Sequence, residues 1–364
     1  MKTPHDTSAR PLRSDSGSHP DWIVGLEDPI LVTGAGGFIG SRVVAELLRR
    51  GFGEVRAFVR NSENARKALG GPADASQKNL RLIEGNLLSQ EDCKKAVEGV
   101  SVIYHLAAGV GDKSYAGAFL NSVVTTRNLL DAAIASGSLK RFVNVSSLGV
   151  YTNRSLPRGA PLDETSQLEP HYIERGEAYL YGKIKQEELV CDYGRRYGLS
   201  YVILRPGAVF GPGKKAITGR VGIDTFGIFL HLGGSNKIPF TYVENCAEAI
   251  VLAGLKQGVD GEAFNVVDDE LPTSRDFLRL YKKKVGSFFS LPVPYPLFHV
   301  FCLMWETYSR WSQGQLPPAF NRYRCAADWK GNHYSNRKLK EMLGWEPRIP
   351  MHVALERYFD FVRS

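Results

Sequence analysis

Three tyrosines in this chain are followed four residues later by a lysine: Tyr179 with Lys183, Tyr181 with Lys185, and Tyr334 with Lys338. On a helix that spacing puts both side chains on one face. The pairing has a chemical use. A phenol titrates near about 10, too high to exchange a proton with a substrate oxygen at neutral pH. An ammonium about 4 Å away, at an effective dielectric of about 20, favours the phenolate by about 4 kcal/mol, or roughly 3 pKa units. Desolvation of either group works against that gain. Spacing alone does not choose among the three copies. A pair of hydroxyls, Ser146-Ser147, follows the run Arg141 to Val145, and at a strand end such a pair serves turn chemistry as readily as catalysis. His105 reads as a hydrogen-bonded structural histidine. The eight histidines and five cysteines (93, 191, 246, 302 and 325) show no ligand-type cluster, so no metal is expected. Scattered cysteines, odd in number, indicate reduced thiols in a cytoplasmic setting.

The elements that must position these groups begin with Ile30 to Gly40, Ile-Leu-Val-Thr-Gly-Ala-Gly-Gly-Phe-Ile-Gly. A short β-branched run breaks into glycines and resumes at Ser41 with apolar residues at helical spacing, which reads as strand, tight turn, helix. The first glycine allows positive φ, the next lets a pyrophosphate approach bare backbone, and the last lets helix and strand pack closely. Exposed amides and the helix dipole then face the anion. Further strands are expected at Glu54 to Arg60, Leu80 to Glu84, Val100 to Leu106, Arg141 to Val145 and Tyr201 to Leu204. A polar loop with a short helix fills 61–79, and long helical periodicity runs from Ser114 to Ser136. Alternating strands and helices imply an α/β fold with a doubly wound parallel sheet.

Read as Thr33-Gly34-x-x-Gly37-x-x-Gly40, the glycine loop resembles the extended branch of the short-chain dehydrogenase/reductase superfamily, the NAD-dependent epimerase/dehydratase family. Other landmarks in order carry the same resemblance. They are Asn144-Val145-Ser146-Ser147-Leu148-Gly149-Val150-Tyr151, Arg205-Pro206-Gly207-Ala208-Val209-Phe210-Gly211-Pro212, Phe240 to Ala249, Gly261 to Val266 and Leu343-Gly344-Trp345-Glu346-Pro347. The resemblance spans residues 29 to 355 and implies a Rossmann fold with a smaller C-terminal substrate-binding lobe. Its longer pattern has a small residue before the lysine and a glutamate four after it, which Gly182 and Glu187 supply. It therefore selects Tyr179 and Lys183, with Ser147 as the catalytic serine and Ser146 as a neighbour bonding backbone. By the same resemblance Gly34, Gly37, Phe38, Ile39 and Gly40 hold the dinucleotide, and Asn86 and Leu87 lie near the adenine. Leu106, Ala107 and Ala108 wall the cofactor, Pro206 passes the nicotinamide amide, and Lys183 bonds the nicotinamide ribose. Arg60, at the C-terminal end of the second strand, matches a 2′-phosphate, whereas Glu54 sits at the wrong end to bind a ribose. NADP(H) is thus expected over NAD(H).

The chain has 364 residues, 43% hydrophobic and 23% charged, with formal charge +8 and no long basic block. That balance suits anionic cofactors, membrane surfaces and nucleic acid alike; nucleic acid is not among the expected partners. Residues 1–27 lack an apolar segment and read as a disordered tail. The cofactor domain is expected over 28–206, with 240–267 returning to it, and the substrate lobe over 207–239 and 268–364. Lys237-Ile238-Pro239-Phe240 lacks the Arg-Asp pair of nucleotide-sugar enzymes, which places the chain nearer the 3β-hydroxysteroid dehydrogenase and dihydroflavonol reductase branches. Phe288 to Trp305 is uncharged and follows Lys282-Lys283-Lys284. Prolines 292, 294 and 296 leave about ten helical residues, too few to span a bilayer, so 282–305 reads either as a peripheral membrane contact or as a buried helix. The resemblance also implies a homodimer. The expected activity is NAD(P)-dependent interconversion of a secondary alcohol and a ketone on a bulky, partly apolar small-molecule substrate. The alternatives are a nucleotide-sugar epimerase, dehydratase or reductase using the same site, and a non-catalytic NAD(P)-sensing protein.

Overall fold

The computed structural model describes residues 20–70, 78–112, 114–225, 227–312 and 320–364. Its first part alternates β1 (Ile30–Thr33), α1 (Gly40–Arg49), β2 (Val55–Val59), α2 (Ser62–Leu69), β3 (Leu80–Glu84), α3 (Gln90–Val97) and β4 (Val102–His105). Next come α4 (Tyr115–Ala118), α5 (Thr125–Ser136) and β5 (Arg141–Val145), then β6 (Pro161–Leu162), α6 (Ala178–Tyr197), β7 (Tyr201–Pro206) and β8 (Ala208–Phe210). The rest comprises β9 (Gly222–Thr225), β10 (Ile228–His231), β11 (Phe240–Tyr242), α7 (Val243–Leu255) and β12 (Ala263–Val266). It continues through α8 (Ser274–Lys284), β13 (Ser290–Pro292), α9 (Tyr295–Trp311), α10 (Arg322–Trp329), β14 (His333–Tyr334), α11 (Arg337–Leu343) and α12 (Met351–Arg363).

Seven strands form one parallel sheet in the order β12-β7-β5-β4-β1-β2-β3. Strands covered on both faces are mostly apolar, and β1, β4 and β5 are buried at every residue. One face packs on α1 and α7 with Trp345, the other on α3, α5 and α6. The strand order reverses beside β1, so a crevice opens past the carboxyl ends of β1 and β4, the expected dinucleotide position. A smaller lobe carries β9, β10 and β13 with α8, α9, α10 and α12, built on an aromatic core of Phe210, Phe240, Phe277, Tyr358 and Phe359.

Three expectations need correction. Residues 1–19 of the expected tail lie outside the described residues, but residues 20–27 are packed: Trp22 stacks on Phe52 at 6.0 Å, Val24 is buried, and the Ile23 amide donates to Leu255 O at 2.9 Å. The helix expected over 114–136 is broken by a π-helical stretch at Phe119–Val124. There the Ser122 carbonyl accepts from Thr125 and Thr126 hydroxyls and from the Gln186 amide, which competes with the regular ladder. Finally, α9 runs for 17 residues because Pro296 falls in its first turn, where a proline costs no hydrogen bond. No helix among the described residues is long and apolar enough to cross a membrane.

Candidate active site

Ser147, Tyr179 and Lys183 are delivered by β5 and α6. Ser147 stands two residues past β5, where its Oγ caps a 3₁₀ turn by accepting from the Gly149 amide at 3.1 Å. Tyr179 and Lys183 lie one turn apart on α6, and Gly182 lets that helix close on the preceding layer. A Cβ at Gly182 would stand 2.9 Å from Ser122 Oγ. Ser147 and Tyr179 line one cavity of ≈ 240 Å³ together with Leu148, Leu180, Pro206, Gly207 and Ala208 and with the charged residues Arg175, Glu177, Arg220 and Asp328. Lys183 is buried behind, its Nζ 5.9 Å from the Tyr179 ring centre.

The other two tyrosine–lysine copies do not converge there. Tyr181 packs edge-on against Tyr115 at 5.3 Å, and Lys185 pairs with Glu188 at 2.6 Å. Tyr334 is on β14 and Lys338 on α11, where the lysine pairs with Glu262, so that copy never shares a helix face.

The electrostatics differ from the expectation. Lys183 Nζ donates to Val145 O at 2.7 Å instead of addressing the phenol, and burial holds its ammonium down to about 8 against the pull of Glu187. Tyr179 opens to the cavity, 38% exposed, yet the surrounding protein pushes its phenol up to about 12, with nearby Ser147 drawing it back. Desolvation of the phenol therefore outweighs the hydrogen bond from Ser147. Ser146 also departs from expectation: its buried Oγ has no partner among the described residues, while its amide donates to Leu204 O at 2.7 Å. His105 is a buried structural residue between the Thr33 and Thr126 hydroxyls, at 2.8 Å each, and burial pushes it down to about 3, so it stays neutral.

A buried bidentate pair sets the angle of α6. Glu187 accepts from Arg205 at 2.7 and 3.1 Å, Arg205 also donates to the Tyr151 hydroxyl at 2.7 Å, and Tyr151 donates to Asn265 at 2.8 Å. These contacts tie α6 to β7, the turn after β5, and β12.

The glycine loop fits a dinucleotide. Gly34 has φ +67°, and a Cβ there would lie 2.9 Å from Ala107 N; at Gly40 it would lie 2.1 Å from Gly34 O. Bare backbone thus closes on the end of β4, where Leu106, Ala107 and Ala108 are half-buried, and α1 starts without a side-chain cap on its amides. Gly37 donates to Gly34 O at 2.9 Å, and Phe38 and Ile39 form the step into α1. Arg60 is exposed one residue past β2 with no hydrogen bond or ion pair among the described residues, whereas Glu54 precedes β2 and pairs with Arg56 at 2.6 Å. Asn86 accepts from Leu88 N at 3.0 Å, and Leu87 is buried in the core, its carbonyl held by Asn128 at 3.0 Å. Pro206 ends β7 and lines the cavity.

Sequence reasoning missed Arg175, Glu177, Arg220 and Asp328. They sit in loops and at the end of α10, without periodicity or motif to mark them.

Comparison with known proteins places the family and the fold. The chain is 30% identical over 210 residues to cinnamoyl-CoA reductase 1 of Petunia hybrida, covering 57% of this chain and 61% of that protein. It is 26% identical over 344 residues to 3-beta-hydroxysteroid dehydrogenase of Mycolicibacterium neoaurum, covering 90% and 89%. The fold matches UDP-glucuronic acid 4-epimerase from Bacillus cereus, solved with UDP-glucuronic acid and NAD, at TM-score 0.70 and 20% identity, over 92% of this chain and 99% of the other. The model of the NAD dependent epimerase/dehydratase family matches residues 30–266, and the chain belongs to that family.

Proposed function

We propose that this chain is an NAD(P)-dependent oxidoreductase interconverting a secondary alcohol and a ketone on a bulky, partly apolar substrate. The observation that carries the reading is the single cavity shared by Ser147 and Tyr179 at the carboxyl ends of the strands, with Lys183 one helical turn behind. Gly34, Gly37, Gly40, the wall at 106–108, Arg60 and Lys183 are the residues that would hold the cofactor. A bound nicotinamide supplies or accepts the hydride. Ser147 offers its hydroxyl to the substrate oxygen, and Tyr179 exchanges a proton with that oxygen. Lys183 places a buried positive charge beside the phenol. With no side-chain partner among the described residues, Arg60 favours the 2′-phosphate of NADP(H). The five cysteines are free thiols, which supports a cytoplasmic setting.

Screening alcohols, ketones and nucleotide sugars for a change in nicotinamide absorbance tests this reading. Net oxidation or reduction that Tyr179→Phe abolishes is the expected result. Retained cofactor with no net redox change would select epimerase or dehydratase chemistry instead.

We also propose that 282–305 rests on an anionic lipid surface. Leu297, Val300, Phe301, Met304, Tyr308 and Trp311 share one face of α9 and are each at least 40% exposed, while Phe289 and Leu291 lie exposed just before it. Lys282, Lys283 and Lys284 end α8, and Lys282 reaches Ser290 at 2.7 Å, which sets positive charge beside the apolar strip. Cosedimentation with phosphatidylserine vesicles, weakened by salt and absent with Phe301→Ser/Met304→Ser, is expected; equal recovery without vesicles would sink it.

A further inference from the structure

Helices α9 and α10 pack in an antiparallel register that a contact at each end fixes. Phe298, in the first turn of α9, meets Trp329 at the end of α10 edge-on, with ring centres 5.2 Å apart. Two turns further along α9, the buried Glu306 receives the start of α10: Arg322 donates from its amide at 2.6 Å and from Nε at 3.0 Å. Between these contacts stands Cys302, one turn after Phe298 and one before Glu306. Cys325 stands one turn before Trp329 and about one after Arg322. Residues one turn apart share a helix face, so the register sets the two cysteines opposite each other. Both are buried in one cluster with Leu232, Phe298 and Trp329, and their thiols are hydrogen-bonded to each other.

The proposed redox chemistry leaves this pair unused. Two thiols already in contact need only side-chain rotation and a small approach of the helices to reach an S–S distance of about 2 Å. The pair is also asymmetric. The hydrogen bond from Cys325 holds the Cys302 thiol below its ordinary range, against burial and Glu306 and with help from Arg324. The same bond, together with burial, pushes the Cys325 thiol up. Cys302 is therefore the sulfur with thiolate character, and Cys325 is the neighbour placed to resolve what forms on it. Cys93 and Cys246 differ, as buried thiols that desolvation alone pushes up first.

We propose that Cys302 and Cys325 are a reversible oxidation site, at which a small hydroperoxide closes a disulfide between α9 and α10. The Cys302 thiolate attacks the O–O bond; an S–O bond forms, and the departing hydroxide takes up the proton that Cys302 released. The Cys325 sulfur then attacks the sulfenic sulfur, an S–S bond forms, and the hydroxyl leaves as water with the Cys325 proton. The two sulfurs lose two electrons, and hydrogen peroxide is reduced to two waters. An external dithiol returns both thiols. The bond makes covalent the join between α9, whose outer face is apolar and exposed, and α10, which carries Asp328 to the catalytic cavity.

Thiol mapping of the folded, full-length protein tests this. Reduced protein is treated with hydrogen peroxide, quenched with catalase, unfolded and alkylated with N-ethylmaleimide. Wild type should lose two alkylatable thiols and yield a peptide linking Cys302 to Cys325, and dithiothreitol should reverse both changes. The oxidised protein should also melt a few °C above the reduced one, because the bridge constrains the unfolded chain. Cys302→Ala should form no bridge and gain no melting temperature. In Cys325→Ala the sulfenic acid should persist on Cys302, where dimedone traps it. If either variant fails to fold, the linked peptide from wild type decides. Alkylation of all five thiols after peroxide, oxidation confined to Cys191, or a link that forms only in urea overturns the inference. Dimedone on Cys325 in Cys302→Ala, with none on Cys302 in Cys325→Ala, overturns the order assigned to the two sulfurs.

Discussion

The part of the cavity wall formed by Ser147 and Tyr179, with Lys183 buried behind it, grows from strand ends and a 20-residue helix, whereas a second part, with Arg175, Arg220 and Asp328, comes from loops and an 8-residue helix. On the first wall the backbone dictates where a side chain stands. Ser147 is two residues beyond β5, and Lys183 follows Tyr179 by one turn. On the second wall position depends on side chains holding main chain: Asn153 on Ala326 O at 2.8 Å, Trp329 on Gly219 O at 3.0 Å, and Lys330 on Arg154 O at 2.8 Å. Backbone register fixes the first part of the wall, and charge on the second can change without disturbing the sheet.

If the first wall does the chemistry, the largest effect in the molecule belongs to Tyr179→Phe. It should lower kcat by about 10²–10⁴ while nicotinamide fluorescence still reports cofactor binding. A smaller loss would move the proton transfer to another group. The next effect concerns rigidity. Glu187→Ala leaves the buried Arg205 charge without its partner and should cost about 3–5 kcal/mol in denaturant unfolding. Arg324→Gln behind the second part, partly exposed and 3.8 Å from its acids, should cost less than about 1 kcal/mol. Equal costs would erase the distinction between the walls. The double variant Glu187→Leu/Arg205→Met sharpens it, since two apolar groups should recover much of the single loss.

The same distinction explains what could be read in the sequence. Strands β1 and β4 announce themselves as short, mostly apolar runs because burial on both faces demands it, and the glycines at 34 and 40 mark backbone too crowded for any Cβ. Tyr179 was separable from Tyr181 and Tyr334 only through its neighbours Gly182 and Glu187, whose roles, helix packing and the pair with Arg205, are now physical. The turn of Lys183 onto Val145 O was not legible, because it depends on a tertiary contact 38 residues away. Nor was Arg220: its neighbours in space, Ala327 and Tyr334, lie more than a hundred residues downstream, and no local pattern distinguishes it from a solvated arginine.

Arg60 extends the comparison to the end of β2, where it has no side-chain partner among the described residues. Arg60→Asp should lower the NADP(H)-to-NAD(H) ratio of kcat/KM by about 10–100-fold, the worth of a charged hydrogen-bonded contact. An unchanged ratio would assign the arginine to solvent. Lys183 gives a pH signature. Because burial holds its ammonium down to about 8, kcat/KM should fall above about pH 8 as the charge is lost. In Lys183→Arg, which cannot lose its proton in that range, the alkaline limb should disappear from the profile.

The smallest expected effect lies where the sheet passes into the second lobe. Asp268, 3% exposed, accepts from Tyr242 N at 3.0 Å and Asn245 Nδ2 at 3.2 Å through one oxygen, and its other oxygen has no partner among the described residues. Burial pushes this carboxyl up to about 7, with those two hydrogen bonds opposing and Asp269 adding a little. The ordinary value is near about 4. Between roughly pH 4 and 7 the folded protein therefore keeps a proton that the unfolded chain gives up. Stability from this group is full below about pH 4 and is lost as pH rises toward 7, the sign set by more protons bound in the native state. Asp268→Asn stays neutral throughout and keeps a carbonyl for the Tyr242 amide. It should melt a few °C above wild type at pH 8 and show little gain at pH 4. A gain equal at both pH values would mean that packing, and not the buried charge, separates the two side chains.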